Sequence, residues 1–107
     1  MVKEKPVLGI IGGGQLGSML ATAAKKLNIK TIVLSDDLEA PAKNFCDEFF
    51  VSDYNKVKNI EKFANKVDVV TFEFENIPFK ILEHISKFKP VLPNPVINQI
   101  VQNRFTE

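Results

Sequence analysis

The sequence predicts an α/β fold in which one parallel sheet is covered by helices on both of its faces. Short apolar runs alternate along the chain with longer segments whose apolar residues recur at helical spacing. The runs are apolar throughout, which is typical of strands buried between two layers of helices. All five glycines lie between Gly9 and Gly17, at the junction of the first apolar run and the first helical segment.

The chain has 107 residues, which is room for one domain. Hydrophobic residues make up 45% and charged residues 25%, as in ordinary globular proteins, and the net charge of +1 argues against nucleic-acid binding. No apolar run approaches the roughly 18 residues that a membrane span needs. Cys46 and His84 are the single cysteine and histidine, so a disulfide framework and a Cys/His zinc site are both excluded. These features favour a cytoplasmic location.

The first three elements form a βαβ unit around the glycines. Residues 7–11 are an apolar strand, and residues 12–17 fit the pattern G-x-G-x-x-G. The helix that follows has one apolar face and can end at Asn28. Residues 31–34 form the second strand. A strand, a glycine turn, a helix and a parallel strand make the unit from which Rossmann-like folds are built.

The glycine turn has two interpretations. Gly12 allows the tight turn, Gly14 lets the backbone approach a ligand, and Gly17 lets the helix pack closely. The free N–H groups of the first helical turn favour an anionic or polar ligand, but the turn could also connect strand and helix without binding anything. A dinucleotide site further needs an acid at the end of the second strand. Ser35 stands there and Asp36 comes one position late, so an NAD(P)-binding oxidoreductase domain is the alternative.

The remaining elements continue the alternation. We predict a loop with one short helix at residues 35–46, and strands at residues 49–51, 68–72 and 91–92. One helix should begin at Asp53 or Asn55 as its cap, the next at Pro78, and a last one at Asn94-Pro95. The buried faces predicted for the first two are Val57, Ile60, Phe63, Ala64 and Val67, then Ile81, Leu82, Ile85 and Phe88.

Two acids follow the fourth strand. The carboxyl ends of parallel strands lie at one rim of the sheet, so residues 73–76 should lie beside the glycine turn. Glu73 and Glu75 point the same way if strand geometry persists. Either could accept hydrogen bonds from sugar hydroxyls or from an amine, and either could equally cap the following helix or pair with a lysine. The residues alone leave these alternatives open.

Five short motifs together resemble one enzyme family. Residues 10–20 read I-I-G-G-G-Q-L-G-S-M-L, and residues 71–78 read T-F-E-F-E-N-I-P. Between and after them stand E-A-P-A at 39–42, P-N-P at 93–95 and Q-N-R at 102–104. Their order and spacing resemble the N-terminal part of the N5-carboxyaminoimidazole ribonucleotide synthetases, the ATPase subunits of phosphoribosylaminoimidazole carboxylase. The resemblance covers essentially the whole chain.

The resemblance implies a Rossmann-like pre-ATP-grasp domain over residues 1–93 that binds no dinucleotide. Residues 94–107 would be an exit helix leading to an ATP-grasp domain that this sequence lacks. The family uses ATP and bicarbonate to carboxylate aminoimidazole ribonucleotide in purine synthesis, with carboxyphosphate as the intermediate and magnesium bound in the full-length parent. It implies no membrane or nucleic-acid partner and is compatible with a homodimer. We expect this chain alone to bind no cofactor and to catalyse nothing.

The resemblance also assigns site residues. Gly14, Gln15 and Leu16 would contact the ribonucleotide, Glu73 would hold its ribose hydroxyls, and Arg104 would reach ATP. Arginine suits that task because its charge is permanent and its donors fork onto phosphate. No catalytic residue and no metal ligand is assigned within this chain.

Three positions depart from the family pattern: Ser18 stands where arginine is usual, and Ser35 and Asn103 stand where aspartate is usual. Besides the ligase and oxidoreductase hypotheses, a third is a nucleotide-sensing module without catalysis. That module would bind a nucleotide tightly by itself, whereas the ligase domain should bind weakly or not at all until the missing domains are supplied.

Overall fold

The computed structural model describes residues 6–73 and 77–93. Its sheet has five strands in the order β3-β2-β1-β4-β5, and every neighbouring pair is parallel. The strands are β1 Val7–Ile11, β2 Lys30–Ser35, β3 Glu48–Val51, β4 Val69–Phe72 and β5 Val91–Pro93, and the helices are α1 Gln15–Lys26, α2 Val57–Asn65 and α3 Phe79–Ile85, with a 3₁₀ turn at Pro41–Asn44. The predicted α/β fold with a parallel sheet is confirmed.

The central strand β1 is apolar because it is buried on both faces. Its alternate side chains enter two separate cores, one under α1 and the 3₁₀ turn and one under α2 and α3. The first core contains Leu8, Ile10, Leu20, Ala21, Ala24, Val33 and Ala42. The second contains Val7, Ile11, Ile32, Leu34, Tyr54, Ile60, Phe63, Ala64, Val67, Val70, Ile81 and Ile85. Both cores contain side chains of β1. The glycine turn after β1 therefore lies at the centre of the rim that the carboxyl ends of the strands form.

Gly9 is the one glycine inside a strand, and α2 explains it. A Cβ atom there would lie 2.7 Å from Cζ of Phe63 and 3.0 Å from Cγ1 of Val67. The missing side chain lets α2 press its largest buried side chain directly onto the backbone of β1.

The end of α1 follows the sequence prediction. Asn28 has a positive φ of 62°, the left-handed conformation that commonly follows a helix, and its N–H donates to the carbonyl of Lys25. The chain then turns directly into β2. The prediction that α1 closes at Asn28 is therefore confirmed within two residues of the observed helix end.

Three details of the later helices differ from the predictions. The N-cap of α2 is Lys56, not Asp53 or Asn55, because the Asp53 carboxylate instead accepts the N–H of Asn55 at 3.0 Å. Val57 is 52% exposed because it stands in the first turn of α2, outside the packed stretch. Phe88 is 51% exposed because α3 ends at Ile85 and its face does not reach that far.

The predicted helix from Asn94 lies outside the described residues. Within the described ranges, no helix is long and apolar enough to cross a membrane.

Candidate functional site

Glu73 directly follows β4 and reaches the start of α1. Its N–H donates to the carbonyl of Ile11 at 3.0 Å, which continues the β1–β4 pairing by one residue. Its Oε1 accepts the N–H of Gly17, the third residue of α1, at 2.8 Å. The prediction that the glycine turn and Glu73 share one rim is thus confirmed. The helix that Glu73 caps is α1, whereas α3 begins at Phe79, with Pro78 as its N-cap residue and no side-chain cap.

The glycines of the turn are packed around this carboxylate. Gly12 has a φ of 107°, which side chains rarely adopt, and a Cβ atom there would lie 2.7 Å from Oε2 of Glu73. A Cβ atom on Gly14 would lie 3.1 Å from Oε1. The turn that receives a pyrophosphate in dinucleotide-binding folds therefore holds an internal carboxylate here.

A small pocket of about 180 Å³ opens beside this carboxylate. Its lining residues are Gly12, Gly13, Gly14, Ser35, Asp36, Asp37, Ala40, Pro41, Tyr54, Glu73 and Ile77. We call it the rim pocket. Its charged lining residues are Asp36, Asp37 and Glu73, and no lysine or arginine belongs to the described lining. The rim pocket therefore suits a ligand group that donates hydrogen bonds and repels an anionic one.

The start of the 3₁₀ turn and the residue before it, Ala40, close one side of the rim pocket. The N–H of Ala42 donates to the carbonyl of Gly13 at 2.9 Å, and a Cβ atom on Gly13 would lie 2.5 Å from the Cβ of Ala40. Residues 40–42 were part of the family resemblance but had received no role. Their contact with the glycine turn gives them one, because they fix the turn from outside the sheet.

Tyr54 is the lining residue that sequence reasoning missed. It follows β3, its ring belongs to the second core, and the residue is only 8% exposed. Burial raises the pKa of Tyr54 to about 12, and the negative charges of Asp36 and Glu73 add to the rise. The phenol is therefore neutral at physiological pH.

The family-assigned residues do not all meet in the rim pocket. Gly14 and Glu73 line it, whereas Gln15 is exposed and lines a separate groove between α1 and the 3₁₀ turn. Leu16 packs its side chain against the first core. Arg104 and Glu75 lie outside the described residues.

The single histidine, His84, and the single cysteine, Cys46, both have structural roles. His84 Nε2 lies 2.9 Å from Oε2 of Glu61, which ties α3 to α2, as expected for a residue at the margin of the core. Burial raises the pKa of the Cys46 thiol, which makes it a poor nucleophile. Over residues 6–73 and 77–93, no group of three or more His, Cys, Asp or Glu side chains could hold a metal ion.

Comparison with known proteins gives one consistent result. Residues 5–102 match the model of the ribonucleotide synthetase pre-ATP-grasp domain family. The N5-carboxyaminoimidazole ribonucleotide synthase of Brucella melitensis is 40% identical over 106 residues, which are 99% of this chain and 29% of that protein.

Solved structures agree with the sequence comparison. The Staphylococcus aureus N5-carboxyaminoimidazole synthetase complexed with ADP superposes with a TM-score of 0.77 and 36% identity, over 84% of this chain and 24% of that one. The Aspergillus clavatus enzyme in complex with ADP and 5-aminoimidazole ribonucleotide gives a TM-score of 0.71 and 29% identity, over 94% and 28% respectively. This chain therefore spans less than a third of each of these relatives.

Proposed function

This chain belongs to the ribonucleotide synthetase pre-ATP-grasp domain family, and we propose that it is the substrate-side domain of an ATP-dependent ligase. The reaction would carboxylate aminoimidazole ribonucleotide with bicarbonate in purine synthesis. The observation that carries the proposal is the Glu73 carboxylate, held by the N–H of Gly17 at the edge of an acidic pocket. The names of the relatives, and the ribonucleotide bound to the Aspergillus enzyme, support the same substrate.

The geometry suits a ribose. The N–H of Gly17 holds Oε1 of Glu73, while Oε2 and the remaining lone pairs can accept the protons of sugar hydroxyls. Hydrogen bonds to a charged acceptor are stronger than neutral ones. Gly14 offers no side chain that would keep the sugar away. Glu73 would thus bind and orient the substrate without taking part in bond making.

Gln15 and Leu16 would act in different ways. Gln15 is exposed and can reach a ribonucleotide that extends from the rim pocket along α1. The side chain of Leu16 is committed to the first core, so its contribution would come from its backbone N–H in the first turn of α1. A polar ligand atom above that turn would receive this hydrogen bond.

The rest of the proposal follows from the family resemblance alone. Arg104 would contact ATP, and magnesium would be bound with ATP in the full-length parent. The domain boundary at residue 93, the use of bicarbonate and assembly as a homodimer have the same basis. A cytoplasmic location is proposed instead from the composition and the single cysteine of the sequence.

The test is binding of aminoimidazole ribonucleotide to this chain, followed by NMR at the amides of residues 12–17. The sequence left weak binding and no binding open. Because Glu73 and the rim pocket lie within this chain, we expect binding, and we expect it to be weak, in the millimolar range, because much of each relative lies outside the span of this chain. Glu73→Gln removes the charge and keeps the shape, and it should weaken binding at least tenfold, since a hydrogen bond to a charged group contributes about 1.5–3 kcal/mol.

Glu83→Gln is the matched control, because Glu83 is exposed on α3 and does not line the rim pocket. This variant should bind the ribonucleotide like the wild type. Equal affinity of the wild type and Glu73→Gln, with both proteins folded by circular dichroism, would remove Glu73 from the site. Lower thermal stability with unchanged affinity would show that Glu73 serves only to cap α1.

A further inference from the structure

Tyr54 is held in place by the turn that follows β3. Ser52 donates its N–H to the carbonyl of Ser35 at 3.0 Å and its Oγ to the carbonyl of Asp53 at 2.9 Å. The Asp53 carboxylate accepts the N–H of Asn55, which closes the turn. Tyr54 belongs to the second core and also lines the rim pocket, together with the three residues that act on its phenol, Ser35, Asp36 and Glu73.

The surroundings of the phenol decide what its oxygen and its proton can do. The backbone of Asp36 and the side chain of Ser35 oppose the rise of the pKa of Tyr54, as hydrogen-bond donors that face the phenolic oxygen do. Ser35 is 3% exposed, and its Oγ also accepts the N–H of Asp37 at 3.1 Å. The carboxylates of Asp36 and Glu73 both act on the phenol from outside the core. The oxygen is therefore supported from β2, and the phenol is a neutral donor next to an acidic pocket.

A sugar hydroxyl in this pocket needs a hydrogen-bond acceptor for its proton and a hydrogen-bond donor for its oxygen. When it donates its proton to Glu73, its own oxygen keeps lone pairs that lose water inside the pocket. A carboxylate cannot satisfy them, because it only accepts hydrogen bonds. The described lining of the rim pocket contains no lysine or arginine to do so. A neutral phenol supplies such a donor without attracting phosphate.

We propose that Tyr54 is a further ligand-binding residue of this site, which donates its phenolic hydrogen bond to a ribose hydroxyl that in turn donates to Glu73. This inference rests on the proposed function, because Glu73 must first bind the ribose. Together the two side chains select a hydroxyl at this position. They disfavour a deoxy sugar, which offers neither the donor nor the acceptor, and the carboxylates of Asp36, Asp37 and Glu73 repel a phosphate from the same pocket.

The experiment compares the wild type with Tyr54→Phe, using aminoimidazole ribonucleotide and its 2′-deoxy and 3′-deoxy analogues as probes. Binding to the 107-residue chain is followed by NMR at the amides of residues 12–17. Tyr54→Phe should bind the ribonucleotide about three- to tenfold more weakly, as loss of a neutral hydrogen bond requires. For one of the two deoxy analogues, Tyr54→Phe and the wild type should have the same affinity. That analogue already lacks the hydroxyl that Tyr54 recognises. A residue that only packs in the core would weaken all three ligands alike.

Ser86→Ala is the matched control, since it removes a hydroxyl that donates to the carbonyl of Glu83, and Ser86 does not belong to the described lining of the rim pocket. If Tyr54→Phe fails to fold, the test uses the wild type labelled at the tyrosine ζ carbon, because Tyr54 is the one tyrosine in the sequence. Its signal should shift with the ribonucleotide and not with one of the deoxy analogues.

The outcomes separate the two proposals. Shifts at residues 12–17 with equal affinity in wild type and Tyr54→Phe, or with an unmoved ζ carbon, overturn the role of Tyr54 and leave Glu73 in the site. The absence of any shift at 20 mM ribonucleotide overturns the site itself, and the role of Tyr54 with it.

Discussion

Gly17→Ala tests whether the close contact between α1 and the glycine turn holds the site together. A Cβ atom at Gly17 would lie 2.5 Å from the carbonyl oxygen of Gly12. That oxygen belongs to backbone that cannot move cheaply, because the N–H of Gly12 is bonded to the carbonyl of Leu34 at 2.7 Å. The helix would have to move away from the turn, which also weakens the hydrogen bond from Gly17 to Glu73.

Two opposing effects set the magnitude. Alanine is favoured over glycine inside a helix by about 1 kcal/mol, which would stabilise the variant. Overpacking lowers the free energy of unfolding by about 1–3 kcal/mol. A weakened hydrogen bond to a carboxylate lowers it further, by no more than the roughly 1.5–3 kcal/mol that such a bond contributes. We expect the steric effect to win by about 2 kcal/mol, which for a domain of this size lowers the melting temperature by about 10 °C. Urea unfolding followed by far-UV circular dichroism measures the change.

Gly14→Ala is the matched control in the same turn. Gly14 has a φ of −76°, which alanine adopts freely, and its Cβ atom would meet the flexible carboxylate of Glu73 at 3.1 Å instead of backbone. The free energy of unfolding of Gly14→Ala should be lower than that of the wild type by less than about 1 kcal/mol. The reasoning is refuted if Gly17→Ala is as stable as the wild type, as helix propensity alone predicts, or if both variants lose the same stability.

The remaining predictions concern Tyr54, Arg104 and the glycine turn. Burial raises the pKa of Tyr54 to about 12, so its absorbance should titrate near pH 12 in the folded protein. Since an unfolded tyrosine titrates near 10, the free energy of unfolding should be unaffected by Tyr54 below pH 10 and should fall as the pH rises towards 12. Titration near 10 with the fold intact would contradict its burial. Arg104 is tested in a chimaeric synthetase whose first 107 residues are this sequence. Arg104→Ala should raise the KM for ATP at least tenfold and leave the KM for the ribonucleotide unchanged. An unchanged KM for ATP would mark Arg104 as a solvated helix-end residue. Calorimetry should detect no NAD or NADP binding to this chain, because Glu73 occupies the turn; a stoichiometric micromolar NAD site would favour the oxidoreductase hypothesis.

Local patterns in the sequence predicted the fold well. Uniformly apolar runs such as residues 7–11 are typical of strands buried on both faces, and their alternation with helices indicates a parallel sheet. The glycine spacing likewise predicted the tight turn at Gly12. The errors lie where helices begin and end: Lys56 caps α2 because the Asp53 side chain bonds within its own turn, and α3 stops before Phe88. Such ends are decided by competing local hydrogen bonds, which spacing does not reveal.

The site was predicted less completely than the fold. The rim followed from the strand order, and Glu73 from its position after β4. Its partner Gly17 lies 56 residues away in sequence, and no pattern in the sequence indicates that pairing. Tyr54 was missed because it follows a short, half-exposed strand and carries no motif, and only the packing of β3 beside β2 brings it to Ser35.

The carboxylate at the start of α1 also governs how a charged ligand approaches. A helix N-terminus normally presents the positive end of its dipole, but here Glu73 neutralises it from within, and Asp36 and Asp37 leave the rim negative. If the proposed ribonucleotide binds here, its 5′-phosphate would be repelled by this rim within about 8 Å, the screening length at physiological salt. The phosphate would then point away from the rim, and the sugar edge would approach first. The orientation of the ligand would thus be set before the first contact forms.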